Sequence, residues 1–171
     1  RAAVGRERPR RRGYLLRRFA DKIVSCADDL SDRRTVAMSD PVFLYFEDDK
    51  LSREVMRACL TRGMGYTNIG IFEDSTDFEN RLNSQGARPD VVFLDIHIEP
   101  IDGFALLKLI RQSDAYRSTR VIALTASVMN EEVKMLRDAG FDGVIAKPLD
   151  YDTFPAVLHR ILAGEQIWHI K

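Results

Sequence analysis

From Pro41 onward, short apolar runs of β-type residues alternate with stretches whose apolar positions recur at helical spacing. The runs are VFLYF (42–46), TNIGIF (67–72), VVFLD (91–95), RVIALT (120–125) and GVIA (143–146). Between them, Leu51, Val55, Met56, Cys59 and Leu60 share one helical face. Phe78 with Leu82 predicts a shorter helix. Phe104, Leu106, Leu107 and Ile110 predict a third, and Val133, Leu136 and Ala139 a fourth. Phe154, Val157, Leu158, Ile161 and Leu162 predict a fifth, with Asp152 as its cap and Pro155 in its first turn. Three of the runs are almost continuously apolar rather than alternating, as strands covered on both faces are. Five strand–helix units in strict alternation predict an α/β fold: a doubly wound five-stranded parallel sheet with helices on both faces. Sites in such open sheets form outside the carboxyl ends of the strands.

Composition bounds the picture without changing it. The chain has 171 residues, 45% apolar and 30% charged, which fits one domain with an appendage. No apolar run approaches the roughly 20 residues of a membrane-spanning helix, and no secretory signal is evident. Cys26 and Cys59 lack metal-ligand spacing and read as unpaired thiols in a reducing compartment, with the cytoplasm as the default location. Charge does add something. The formal net charge is zero, yet residues 1–40 hold 11 Lys/Arg against 6 Asp/Glu. This basic extension includes Arg10, Arg11, Arg12, Arg17 and Arg18, and residues 14–30 have amphipathic helical spacing. A solvated leader is its plainer reading; contact with nucleic acid or an acidic membrane surface is the alternative. Met38 opens MSDPVFLYFEDD and reads as a natural start, which would make the preceding residues an extension of the domain.

Candidate chemistry collects at the strand ends. The first run leads into Glu47, Asp48 and Asp49, the third ends on Asp95, the fourth on Thr125 before Ala126 and Ser127, and the fifth leads to Lys147 and Pro148. Each has a plain explanation alone, since acidic triplets cap helices and Lys–Pro is commonly a loop. Together they set carboxylates, a hydroxyl and an ammonium along one edge of one sheet. Two like charges ~4 Å apart repel by ~4 kcal/mol at an effective dielectric near 20. Glu47, Asp48 and Asp95 therefore need a proton or a cation to sit close together. Lys147 supplies one positive charge, and oxygen-only ligands suit magnesium for the rest. A carboxylate beside magnesium, a lysine and a hydroxyl is equipped for phosphoryl transfer. Thr125 and the backbone N–H of Ala126 are placed to grip a phosphoryl oxygen.

Residues 41–163 resemble the receiver domain of two-component response regulators. The resemblance is carried by FLYFEDD, PDVVFLDIHIEPIDGF, VIALTAS and AKPLD, in order and each at a strand end. It implies the flavodoxin-like strand order 2-1-3-4-5. It implies that Asp95 accepts a phosphoryl group from a sensor histidine kinase or histidine phosphotransfer protein, with autophosphatase activity rather than dedicated enzyme function. It further implies that Asp48 and Asp95 bind Mg2+ directly with the main-chain carbonyl of His97, and that Glu47 acts through an intervening water. Lys147 would contact the phosphoryl group, and Thr125 would move to bond with it. The His97 side chain is open between tuning the phosphoryl lifetime and plain surface exposure. Output would run through contacts with a downstream protein target on the face of the fourth helix, fifth strand and fifth helix.

Two features depart from the family pattern, and the tail bears on output. Glu99 follows Ile98 where a proline is usual, with Pro100 one place later. Val144 stands three residues before the lysine, where the family often has an aromatic that swings inward. After the last helix only residues 164–171 remain as a tail, which reads as a stand-alone receiver. Within that tail Ile167 and Trp168 either pack on the body or anchor a partner or a second subunit. Competing readings are a phosphorylation-independent protein-binding module, a magnesium phosphatase of another doubly wound family, and a nucleic-acid binder acting through the basic arm.

Overall fold

The structure is a computed structural model that describes residues 40–168. The basic extension, its helical spacing at 14–30, its arginine cluster and Cys26 lie outside the described residues, as do the last three residues of the tail. The described elements alternate as the hydrophobic pattern predicts: β1 (Phe43–Phe46), α1 (Lys50–Ala58), β2 (Ile69–Phe72), α2 (Phe78–Leu82), β3 (Val91–Asp95), α3 (Gly103–Gln112), β4 (Arg120–Thr125), α4 (Asn130–Ala139), β5 (Gly143–Ala146) and α5 (Phe154–Leu162). α1 runs on into a π-helical turn, Cys59–Gly63.

All strands are parallel, in the order β2-β1-β3-β4-β5-β6. The expected five-stranded order is therefore present, with one addition. Ile167 and Trp168 form a short sixth strand, β6, paired along β5.

The period-two geometry of a strand divides each apolar run between two cores. Phe43, Tyr45, Val91, Phe93, Ile122, Leu124 and Ile145 face α1 and α5, where they meet Met56, Cys59, Leu60, Phe154, Leu158 and Ile161. Leu44, Phe46, Val92, Leu94, Val121, Ala123 and Val144 face the other helices, where they meet Phe78, Leu82, Leu106, Ile110, Val133 and Leu136. This is why β1, β3 and β4 read as continuous apolar runs: both faces are covered. Each fully buried Leu, Ile or Phe contributes about 1.5–3 kcal/mol of transfer free energy.

Two helical assignments shift at their ends. Leu51 is 67% exposed rather than on the buried face, because it lies in the first turn of α1, beyond the sheet's rim. Ala139, at the last turn of α4, is exposed as well. The N-cap position of α5 is Thr153 rather than Asp152, with no side-chain cap bond; ahead of it Asp150 Oδ1 accepts from the backbone N–H of Asp152 (2.8 Å) and Thr153 (3.3 Å), closing the turn that leads into the helix. Pro155 does stand in the first turn, where its missing N–H costs nothing.

The tail residues pack on the body. Ile167 is buried, and the Trp168 ring packs against the core beside Val144, with the Arg137 guanidinium 4.5 Å from its centroid. Pairing this close requires Gly143, since a Cβ there would sit 2.4 Å from the Ile167 carbonyl oxygen. The substitution Gly143→Ala is therefore expected to lift β6 off the sheet. Trp168, the only tryptophan in the sequence, should then shift its fluorescence emission to the red, with a stability loss of about 1–3 kcal/mol. Unchanged emission would contradict this role for Gly143.

Candidate functional site

The same period-two rule that sorts the core also assembles the site. Tyr45 faces the α1/α5 side, so Glu47, two residues on, continues that side past the end of β1. Phe93 does the same for Asp95 at the end of β3, and Ile145 for Lys147 just past β5. Three separate strands thus deliver two carboxylates and one ammonium to one place. Lys147 Nζ lies 2.7 Å from Glu47 Oε2 and 3.1 Å from Asp95 Oδ1.

Burial makes this contact consequential. Glu47 is 0% exposed and Asp95 5% exposed, and the Lys147 side chain is 18% exposed. Buried carboxylates keep their charge only when paired and hydrogen-bonded. Glu47 is held on several sides: by Lys147, by the Tyr45 hydroxyl donating to Oε2 (2.5 Å) and by the Asp49 N–H donating to Oε1 (3.2 Å). Asp95 Oδ1 also takes a long contact from the His97 N–H at 3.4 Å. Burial alone would pull the Lys147 pKa down, but the hydrogen bonds and negative charges of Glu47 and Asp95 outweigh it and hold the ammonium above the ordinary lysine range. Burial and the neighbouring Glu47 carboxylate push the Tyr45 phenol well above the usual tyrosine range, so it stays a donor.

The acidic triplet proves to have three different tasks. Glu47 is internal and neutralised by Lys147. Asp48 is exposed, yet one of its oxygens lies within 4.8 Å of oxygens of Glu47 and Asp95. Asp49 caps α1: its Oδ2 accepts from the Ser52 N–H at 2.6 Å, and that bond holds its carboxyl below the usual range. Three carboxylates in that space, only partly balanced by one lysine, form an oxygen-only donor set that fits a hard divalent cation.

Thr125 belongs to the opposite face. Val121 and Ala123 face the α2–α4 side, and Thr125 continues it, toward α4. It is buried, and its Oγ1 donates to Glu132 Oε1 (2.8 Å) while accepting from the Ser127 N–H (3.1 Å). Its backbone carbonyl accepts from Lys147 N–H at 2.8 Å, tying the end of β4 to the lysine. Ala126 and His97 are exposed at the same rim.

The loop after β3 is pinned despite its unusual order of residues. Buried Ser75 donates its N–H to the Glu99 carbonyl (2.9 Å) and accepts the Ile101 N–H on its hydroxyl (2.7 Å). Asp102 caps α3 by accepting from the Ala105 N–H at 2.8 Å. Gly103 is required by proximity, since a Cβ there would come 2.8 Å from the Asp95 carbonyl oxygen. The strand ends on a carboxylate and breaks at once because the rim is a site on one side and a helix start on the other.

Sequence reasoning therefore located Glu47, Asp48, Asp95, Thr125 and Lys147, and the structure brings Glu47, Asp48, Asp95 and Lys147 together. It missed Tyr45, Ser75, Glu132 and Arg53, whose Nη1 binds the carbonyls of Glu47 (2.8 Å) and Asp48 (2.6 Å). Tyr45 was within reach, because residues two apart on a strand share a face. Val144 is fully buried under β6, so the position of the family's mobile aromatic is part of the core.

A response regulator receiver domain is the family model that matches this chain, over residues 43–159. The chain belongs to that family, the receivers of two-component signalling. It is 29% identical over 119 residues to stress response regulator protein 1 of Scheffersomyces stipitis, covering 70% of this chain and 40% of that one. The signal receiver domain of a DNA-binding response regulator from Colwellia psychrerythraea superposes with a TM-score of 0.65 at 26% identity, covering 73% of this chain and 100% of that one. The receiver domain of a sensor histidine kinase from Pseudomonas aeruginosa, solved with a magnesium ion coordinated in its active-site cleft, gives 0.63 at 24%, covering 74% and 100%. The chain spans less than half the length of the curated relatives it matches. Among the described residues, no helix is long and apolar enough to cross a membrane.

The raised pKa values of Lys147 and Tyr45 define a pH window. A group whose pKa is higher folded than unfolded gives stability that is complete below its unfolded value and is lost as pH rises through the folded one. Both groups act in this direction, from about pH 10 upward. Lys147→Met is expected to lose about 3–5 kcal/mol at neutral pH by stranding two buried carboxylates. It should then decline less steeply than the unaltered chain in alkali, keeping only the Tyr45 share. Urea unfolding across that range checks both; parallel alkaline slopes would contradict the assignment.

Proposed function

We propose that this chain is a phosphoryl acceptor: Asp95 takes a phosphoryl group from a phosphohistidine on a sensor histidine kinase or phosphotransfer protein. The observation that carries this reading is the lysine bridge, with Nζ within 3.1 Å of Asp95 and 2.7 Å of Glu47 at the open rim of the sheet. An Asp95 oxygen attacks phosphorus, the phosphorus–nitrogen bond breaks, and the imidazole leaves with the electron pair. Lys147 is placed to balance charge on the moving group, and the burial of Asp95 strengthens that interaction. The Ala126 N–H, at the neighbouring strand end, is a donor for a phosphoryl oxygen, and the Thr125 hydroxyl becomes one once it leaves Glu132.

Asp48 and Asp95 would hold magnesium, with the His97 carbonyl and with Glu47 through a water. Bound there, magnesium supplies the remaining positive charge that three carboxylates and an incoming phosphoryl group demand. Water attack on the resulting acyl phosphate returns Asp95 to its starting state, which makes the chain an acceptor with autophosphatase activity. The signal then passes to a downstream protein as a change in surface contacts.

Incubating the full chain with acetyl phosphate tests this. Intact mass is expected to gain one phosphoryl group in the presence of magnesium, and none when magnesium is chelated or in Asp95→Asn. A gain that persists in Asp95→Asn, or no gain under any condition, contradicts the reading.

A further inference from the structure

We propose that Glu132, in the first turn of α4, is a latch on the Thr125 hydroxyl that sets how readily the chain adopts its phosphorylated arrangement. The inference rests on the reading that Asp95 accepts the phosphoryl group, and it goes further by naming what opposes the response.

A threonine hydroxyl has one hydrogen to donate. Here that hydrogen is committed: Oγ1 donates to Glu132 Oε1 at 2.8 Å and accepts the Ser127 N–H at 3.1 Å. Strand alternation points Thr125 toward α4, on the face opposite Asp95 and Lys147, so its resting orientation is away from the acceptor. A phosphoryl group on Asp95 is a second anionic acceptor at the adjoining strand end, since Asp95 pairs in register with Leu124, the residue before Thr125. One proton cannot serve both anions. Moving it to the phosphoryl oxygen leaves the half-buried Glu132 carboxylate without that donor and facing a new negative charge. Glu132 therefore raises the cost of the phosphorylated arrangement, and the start of α4 is released when the exchange occurs. Glu132 is a positioning residue, acting on the phosphoryl group only through Thr125.

Helix electrostatics provides the control. Glu131 stands in the same first turn, carries the same charge and is exposed. Both acids interact with the amino end of the helix, while the hydrogen bond from Thr125 is accepted by Glu132.

The experiment titrates the full chain with beryllofluoride and magnesium, a phosphoryl mimic, and follows the backbone amides by NMR. Glu132→Ala is expected to lower the midpoint about tenfold, the scale of one hydrogen bond to a charged group. Glu132→Gln, which keeps a neutral acceptor, falls between that and the unaltered chain, and Glu131→Ala leaves the midpoint in place. In a Thr125→Val background, Glu132→Ala has no effect. A midpoint for Glu132→Ala equal to or above the starting value overturns the latch, as does a gain that survives in Thr125→Val. If the unaltered chain shows no response to beryllofluoride, or Asp95→Asn responds equally, the acceptor reading itself falls and takes the latch with it.

Discussion

Two carboxylates buried at the ends of two strands, Glu47 and Asp95, are held by one ammonium from a third, Lys147. Every other feature of the site follows from that charge balance. Burying the acids without the lysine would leave negative charge in a region of low dielectric, where it is costly. Burying the lysine without the acids would be as unfavourable. The pair of contacts therefore ties β1, β3 and β5 together at the same rim, with Asp48 as an additional, exposed carboxylate beside Glu47 and Asp95.

The scaffold delivers this arrangement by simple geometry. A doubly covered sheet must alternate its side chains between two cores, so the parity of each strand decides which face its last residue serves. Glu47, Asp95 and Lys147 share the parity of Tyr45, Phe93 and Ile145, while Thr125 has that of Val121 and Ala123. Asp95 and Lys147 thus sit toward α1 and α5, and the Thr125 hydroxyl sits toward α4.

What was legible in the sequence, and what was not, divides along range. Strand cores were legible because continuous apolar runs arise only where both faces are covered. Asp95, Lys147 and the acidic triplet were legible because several strand ends carry polar residues along one edge of one sheet, although each alone has a plain explanation, as Asp49 shows by capping α1. Short-range turn chemistry misled at Asp152, because the Asp150 carboxylate folds the preceding turn onto the N–H groups of Asp152 and Thr153 and the helix starts one residue later, after Thr153. Leu51 misled because helical periodicity says nothing about where the sheet beneath ends. β6 has two residues, too few for any period, and exists only because Gly143 lets Ile167 approach β5. The Thr125–Glu132 bond depends on the path of the loop between β4 and α4, which spacing does not encode.

The most direct test of the charge balance is calorimetric titration of magnesium into the full chain and into Lys147→Met. If the ammonium and the divalent cation compensate the same carboxylates, both proteins bind one ion saturably and the variant lacking the ammonium binds it more tightly. Affinity that is unchanged or weaker in Lys147→Met, or no saturable binding in either protein, would contradict the account.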